Sequence, residues 1–76
     1  MKELLETIAK ALVDYPDDVY VNEVEGEKSV ILELTVSKDD MGKVIGKQGR
    51  IAKAIRTVVK AAAVKDNKRV SVEILQ

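Results

Sequence analysis

The 76-residue sequence contains no cysteine and no histidine. The first absence excludes disulfides and thiolate metal sites, and the second removes the commonest general base and metal ligand, which disfavours most enzyme chemistry. Phe and Trp are also missing, leaving Tyr15 and Tyr20 as the aromatic complement, so stacking on aromatic side chains can contribute little to any binding activity. No uncharged run is long enough to span a bilayer. The N-terminal stretch MKELLETIAKALVDY carries Glu3, Glu6, Lys10 and Asp14 where an export signal would be apolar. These absences predict a soluble, cytoplasmic protein forming one small domain over residues 1–76. A chain of this size buries only about 60% of its unfolded surface, so the core is modest.

What is present is charge, unevenly distributed. The net charge is zero, yet residues 1–40 hold 4 Lys/Arg against 11 Asp/Glu and residues 41–76 hold 9 against 2. A basic half of this kind suits a polyanion, with the acidic half restraining indiscriminate binding; two solvated faces that attract each other explain the asymmetry equally well.

Apolar spacing gives the element order. Leu4, Leu5, Ile8, Leu12 and Tyr15 recur at three and four residues, which predicts an amphipathic helix over residues 3–15 stopped by Pro16. Val19–Glu25 is rich in strand formers, and the turn residues Glu25–Lys28 lead into VILELTV at 30–36, where alternate residues are apolar, predicting a hairpin. Ser37 followed by Asp40 fits a capping box, so a short helix should begin near Lys38 or Asp39 and end at about Ile45, with left-handed Gly46 as its stop. A longer helix is expected from about Gly49 to Val64, then a loop at 65–68 and a third strand in RVSVEIL. The order α-β-β-α-α-β, with a right-handed crossover between the last two strands, predicts an α+β fold: a three-stranded mixed sheet with three helices on one face.

The stretch VIGKQGRI, residues 44–51, is where chemistry concentrates. A GxxG spacing alone is common by chance. Here it separates two predicted helices, so Gly46 can end the first while Gly49 lets the backbone approach a ligand closely. Backbone amides opening the second helix have no carbonyl partner within it and favour an anion such as phosphate. Lys43, Lys47, Arg50, Lys53 and Arg56 cluster on both sides of the turn. On a helical wheel Lys53, Arg56 and Lys60 lie about 300°, 240° and 280° round from Arg50, whereas Ile51, Ile55, Val58, Val59 and Ala62 lie at roughly 80–180°, predicting an apolar stripe for the sheet. The acidic pairs Asp17-Asp18 and Asp39-Asp40 read as a turn and a helix start rather than as catalytic carboxylates. No enzymatic activity, cofactor or metal is expected.

With these residues in place, the sequence resembles a KH domain of the type II arrangement: Val44, Ile45, Gly46, Lys47, Gln48, Gly49 and Ile51 match its apolar pair, GxxG loop and early helical isoleucine. The run GKVIGKQGRIAKAIRTVVKAAA is similar to the stand-alone single-KH proteins of bacteria, the KhpA family. The resemblance implies single-stranded RNA binding, with about four nucleotides across a cleft made by the short helix, the loop, the long helix and the edge strand. Carried over by position, Gly46, Lys47, Gln48 and Gly49 would clamp the sugar-phosphate backbone. Val44, Ile45, Ile51 and Ala54 would shape the base cleft, each being equally suited to the core, and Val72 is a weaker candidate. The resemblance further implies an RNA chaperone or post-transcriptional regulator linked to cell division, elongation and cell shape. Its implied partners are a second copy, as a dimer, and a KhpB (Jag) type KH protein. Two other readings stay open on the residues alone: a protein-interaction module in which the glycine turn is only a helix boundary, and a helix-turn-helix reader of duplex DNA.

Overall fold

The computed structural model describes residues 1–75. Helix α1 (Lys2–Leu12) is followed by a single 3₁₀ turn at Pro16–Asp18, strands β1 (Tyr20–Glu25) and β2 (Ser29–Thr35), and another 3₁₀ turn at Lys38–Asp40. Helix α2 (Met41–Ile45), a third such turn at Lys47–Gly49, helix α3 (Arg50–Val64) and strand β3 (Arg69–Leu75) complete the chain. The α-β-β-α-α-β order and the α+β class are as the sequence predicts.

The strands lie in the order β1-β2-β3, with β1 antiparallel and β3 parallel to β2. Register follows from burial. Val30 pairs with Val70, Leu32 with Val72 and Leu34 with Ile74, while Val21 faces Leu34 from the other side. A slip of one residue would turn this set to the open face of the sheet. Against the inner face pack Leu5 and Ala9 of α1, Val44 of α2, and Ile55, Val59 and Ala63 of α3, all buried. The buried stripe of α3 is thus Ala52-Ile55-Val59-Ala63, centred about 90° further round the helix than Ile51 and Val58, two residues the wheel assigns to the sheet. Val58 is 48% exposed.

Two element boundaries differ from expectation, and one side chain causes both. Helix α1 stops at Leu12, with Val13 extended, rather than running to Tyr15. The amides of Asp14 and Tyr15 donate instead to the two carboxylate oxygens of Asp40, at 3.1 and 3.0 Å. A following proline also keeps Tyr15 out of the helical region, at φ −119° and ψ 71°. Asp40 is therefore no capping-box partner of Ser37. It is fully buried, the one buried charged or polar side chain among the described residues, and its hydrogen bonds supply what a buried carboxylate requires. Ser37 still accepts from the amide of Asp39, at 3.4 Å, but what it opens is a 3₁₀ turn, and α2 proper begins only at Met41. Asp40 thereby ties the exit of α1 to the root of α2.

Candidate nucleic-acid interface

The turn between α2 and α3 is built from three departures from ordinary backbone within four residues. Gly46 sits at φ 77°, ψ 174°, Gln48 at φ 59°, ψ 25°, and Gly49 at φ 74°, ψ 14°. Gly46 ends α2 as the sequence predicts, though not in the left-handed helical conformation expected of it. Gly49 takes the left-handed helical conformation, and a Cβ there would meet nothing within 4 Å. Gly46 is the site of close approach: a Cβ would lie 2.2 Å from Cγ1 and 2.9 Å from the backbone nitrogen of Ile51. Its φ and ψ fall in a region that glycine alone occupies readily. Ile51 thus folds back under the turn, and the neighbour that Gly46 accommodates is the protein itself.

This bend directs the turn outward. Lys47, Gln48 and Arg50 are exposed, with the Arg50 guanidinium donating to Oε1 of Gln48 at 3.3 Å. The amide of Gly46 closes α2 on the carbonyl of Gly42, at 2.9 Å, and the amides of Gly49 and Arg50 bond the carbonyls of Gly46 and Lys47. Lys47 and Gln48 lie on the exposed outer side of the bend. Successive backbone amides in a bend of this kind, with the cations of Lys47 and Arg50 on it, suit phosphate oxygens.

The remaining candidates separate into groups. Lys53 is exposed one turn along α3 from Arg50, and Arg56 follows it, its Nε donating to the carbonyl of Val72 on β3 at 3.2 Å. The basic face of α3 thus runs beside the outer edge of β3. Lys43 points away from it. Its ammonium bonds the carboxylate of Asp14 and lies 3.7 Å from Asp40, and the hydrogen bond to Asp14 raises its pKa above the ordinary lysine range. A second pair across the charge halves joins Lys68 and Glu25, raising the lysine and lowering the carboxyl through their hydrogen bond. The opposite charges of the two halves are in part satisfied internally.

Val44 is fully buried and Ile45 half-buried, both packed into the core between the helices. Ile51 and Ala54 lie on the flank of α3 that faces α1, opposite the basic face. There they join Leu4, Ile8, Leu12, Ile55 and Val58 in a groove of about 380 Å³ with no polar lining. This groove is not among the features that periodicity predicts. The available signal was in α1, whose apolar residues form two adjacent rows, Leu5-Ala9 for the core and Leu4-Ile8-Leu12 beside it. Asp40 gave no comparable signal, because its partners lie 25 and 26 positions away.

Comparison with known proteins bears on the family and the fold. The family model described as KhpA/KhpB, KH domain matches residues 2–74. The chain is 77% identical over 75 residues to the RNA-binding protein KhpA of Clostridium perfringens, covering 99% of this chain and all of that one. It is 60% identical over 73 residues to RNA-binding protein KhpA of Borreliella burgdorferi, covering 96% of this chain and 89% of the relative. With RNA-binding protein KhpA of Chlamydia trachomatis the identity is 53% over 76 residues, covering 100% and 97%. Among solved structures, a tyrosine-to-alanine variant of Aquifex aeolicus Era bound to GDP and aluminium fluoride superposes with a TM-score of 0.70 at 19% identity. Era in complex with MgGDPNP and nucleotides 1506–1542 of 16S ribosomal RNA gives 0.67 at 20% identity. Each covers 96% of this chain but only 28% of the larger Era chain, so the likeness is one of fold. Family model and full-length relatives together establish that the chain belongs to the KhpA/KhpB family of KH domains.

Proposed function

We propose that this protein binds single-stranded RNA, with the Gly46-Lys47-Gln48-Gly49 turn holding the sugar-phosphate backbone. The observation that carries the reading is the turn itself: exposed and bent sharply at Gly46, Gln48 and Gly49, with the cations of Lys47 and Arg50 on it. Lys53 and Arg56 extend the positive field along α3, beside the edge of β3 on which Arg56 is anchored. Bases of the bound strand would lie over this seam, where Val72 is buried and Ile45 half-buried. Val44 and Ile51 act from beneath by fixing α2 and the bend, and Lys43 acts through its grip on Asp14. The names of the full-length relatives, RNA-binding protein KhpA, point to the same ligand.

The test is Lys47→Asp combined with Gln48→Asp. Both side chains are exposed, so the variant should fold, and two carboxylates beside the loop amides should abolish binding to short RNA in fluorescence anisotropy. Undiminished affinity in a folded double variant would refute the clamp. For the unaltered protein, neutralising about three phosphates gives a slope of log affinity against log salt near −2.

Self-association is favoured by a separate observation, the apolar groove between α1 and α3. Val58 and Leu12 are 48% and 37% exposed there, and covering them with a second copy, or with the KH module of a KhpB-type protein, would remove that surface from water. Two linked clamps also compensate for weak single-site binding by raising the effective concentration of the second. The role that follows is that of a cytoplasmic, sequence-tolerant RNA chaperone or regulator.

A further inference from the structure

The basic face of α3 does not end with the candidate interface. Beyond Arg56 it continues through Lys60, and at the far end of the helix two adjoining hollows of about 340 and 440 Å³ open on the surface. The first is lined by Lys60, Lys68, Arg69, Val70 and Ser71, the second by Lys28, Val64, Asn67, Lys68 and Arg69. Four cations line the pair, and no carboxylate does.

The fold creates this cluster from three separate segments. Parallel pairing sets the start of β3 beside the β1–β2 turn, through the amide of Arg69 donating to the carbonyl of Lys28 at 2.9 Å. Lys60 comes from the last turns of α3, and the turn after α3 carries left-handed Asn67 at φ 54°. The final carbonyls of α3, which would repel an anion, are in part occupied: those of Ala63 and Val64 accept from the amides of Asp66 and Asn67, at 3.0 and 3.1 Å. Lys68 is held by Glu25, which leaves Lys28, Lys60 and Arg69, all exposed, to face a ligand.

We infer that Lys28, Lys60 and Arg69 form a second phosphate-binding locus for the same RNA strand, taking up nucleotides beyond those held at the Gly46–Gly49 turn. The inference rests on the clamp proposed above. Along α3 (Arg50–Val64), Lys60 lies ten residues or about 15 Å beyond Arg50, and Lys53 and Arg56 bridge the interval along the edge of β3. A strand leaving the clamp in this direction meets cations at every turn of the helix. The open face of the sheet, by contrast, sets Glu33 beside Glu73 and repels it.

The experiment compares fluorescein-labelled oligouridylates of 4, 8 and 12 nucleotides by anisotropy over a range of salt. If the far locus contributes about three phosphates, the 12-mer should lose roughly eighteenfold more affinity than the 4-mer when salt is raised from about 50 to about 200 mM. The triple variant Lys28→Gln, Lys60→Gln, Arg69→Gln should reduce the salt response of the 12-mer to that of the 4-mer and leave 4-mer binding unchanged. Equal salt responses for the two lengths in the unaltered protein, or an unchanged 12-mer in the triple variant, overturn this inference and leave the clamp standing. Failure of every length to bind overturns the clamp, and the far locus with it. Thermal melting by circular dichroism confirms that the variant is folded, and Lys60→Gln alone, on an exposed helix face, gives a partial loss in the same direction.

Discussion

Gly46→Ala is the sharpest perturbation of the bend that presents the candidate interface. Two costs can be worked out separately. Holding a residue with a Cβ at φ 77°, ψ 174° costs about 1–3 kcal/mol. The added methyl would also overlap Ile51, and not only at the movable Cγ1, 2.2 Å away, but at Cβ and the backbone nitrogen, 2.8 and 2.9 Å away. Rotating the isoleucine side chain cannot relieve the last two, so the start of α3 must shift, at an overpacking cost of a further 1–3 kcal/mol or so. The sum is about 4 kcal/mol, against a total stability of roughly 4–11 kcal/mol for a domain of this size.

Gly49→Ala is the internal control. It has a similar φ of 74°, but its Cβ would project into open space, so only the left-handed penalty of about 1–2 kcal/mol applies. In urea denaturation followed by far-ultraviolet circular dichroism, with a slope near 1 kcal/mol per molar, Gly46→Ala should unfold about 2 M earlier than Gly49→Ala. Midpoints within about 0.5 M of each other, or the reverse order, would refute the assignment of the close approach to Gly46.

Asp40→Ala removes the acceptor for two backbone amides and should destabilise by about 2–4 kcal/mol, with Asp40→Asn, which keeps one acceptor oxygen, losing roughly half as much; chemical denaturation reads both. Gly42→Ala, at an exposed position of α2 where a Cβ meets nothing within 4 Å, should stabilise by about 0.5–1 kcal/mol in the same assay. Val58→Asp should shift self-association toward monomer in sedimentation velocity with an unchanged melting temperature, and an unaltered oligomeric state would remove the α1/α3 groove from consideration. The ion pairs give a signed pH dependence. The pKa of Glu25 is lowered from an ordinary 4.5, so its contribution is present above that value and fades as pH falls through the lower folded pKa. Lys43 is raised from 10.5, so its contribution holds below that value and fades as pH rises through the higher folded pKa. Melting temperature from these groups should be flat between about pH 6 and pH 9, with Glu25→Gln flattening the acid limb and removing the Lys68 share of the alkaline limb while leaving that of Lys43.

Element order, strand register and the place of the turn were legible because each depends on a local repeat: period two in Val70, Val72 and Ile74, and three-to-four spacing in α1 and α3. What was not legible depends on partners distant in sequence. The end of α1 is decided by Asp40, and the fate of Lys43 by Asp14, 29 positions earlier. Nothing in residues 12–16 or in the run around Lys43 announces either contact. The conformations of the two glycines are subtler. Both glycines have positive φ, as a turn between helices suggests, but which of them must lack a side chain depends on where Ile51 turns. That in turn depends on α3 packing through Ala52, Ile55, Val59 and Ala63, a stripe offset from the one the wheel selects. The wheel averages over apolar residues that serve two different neighbours, the sheet and α1.

That offset has a functional consequence. Because α3 buries a stripe of small and branched residues against the sheet, it keeps two flanks for other work, one basic and beside β3, the other apolar and beside α1. Arg56 is anchored on β3 at Val72, whereas Ile51, Ala54 and Val58 line the groove with α1, so an RNA strand and a second protein can occupy one helix without competing. Disrupting one flank should therefore leave the other competent. Lys47→Asp with Gln48→Asp should still self-associate, and Val58→Asp should retain the intrinsic affinity for a 4-mer while losing the avidity that two clamps give to a long strand. If both variants lost both properties while remaining folded, the two flanks would be a single surface, and the division of α3 argued here would be wrong.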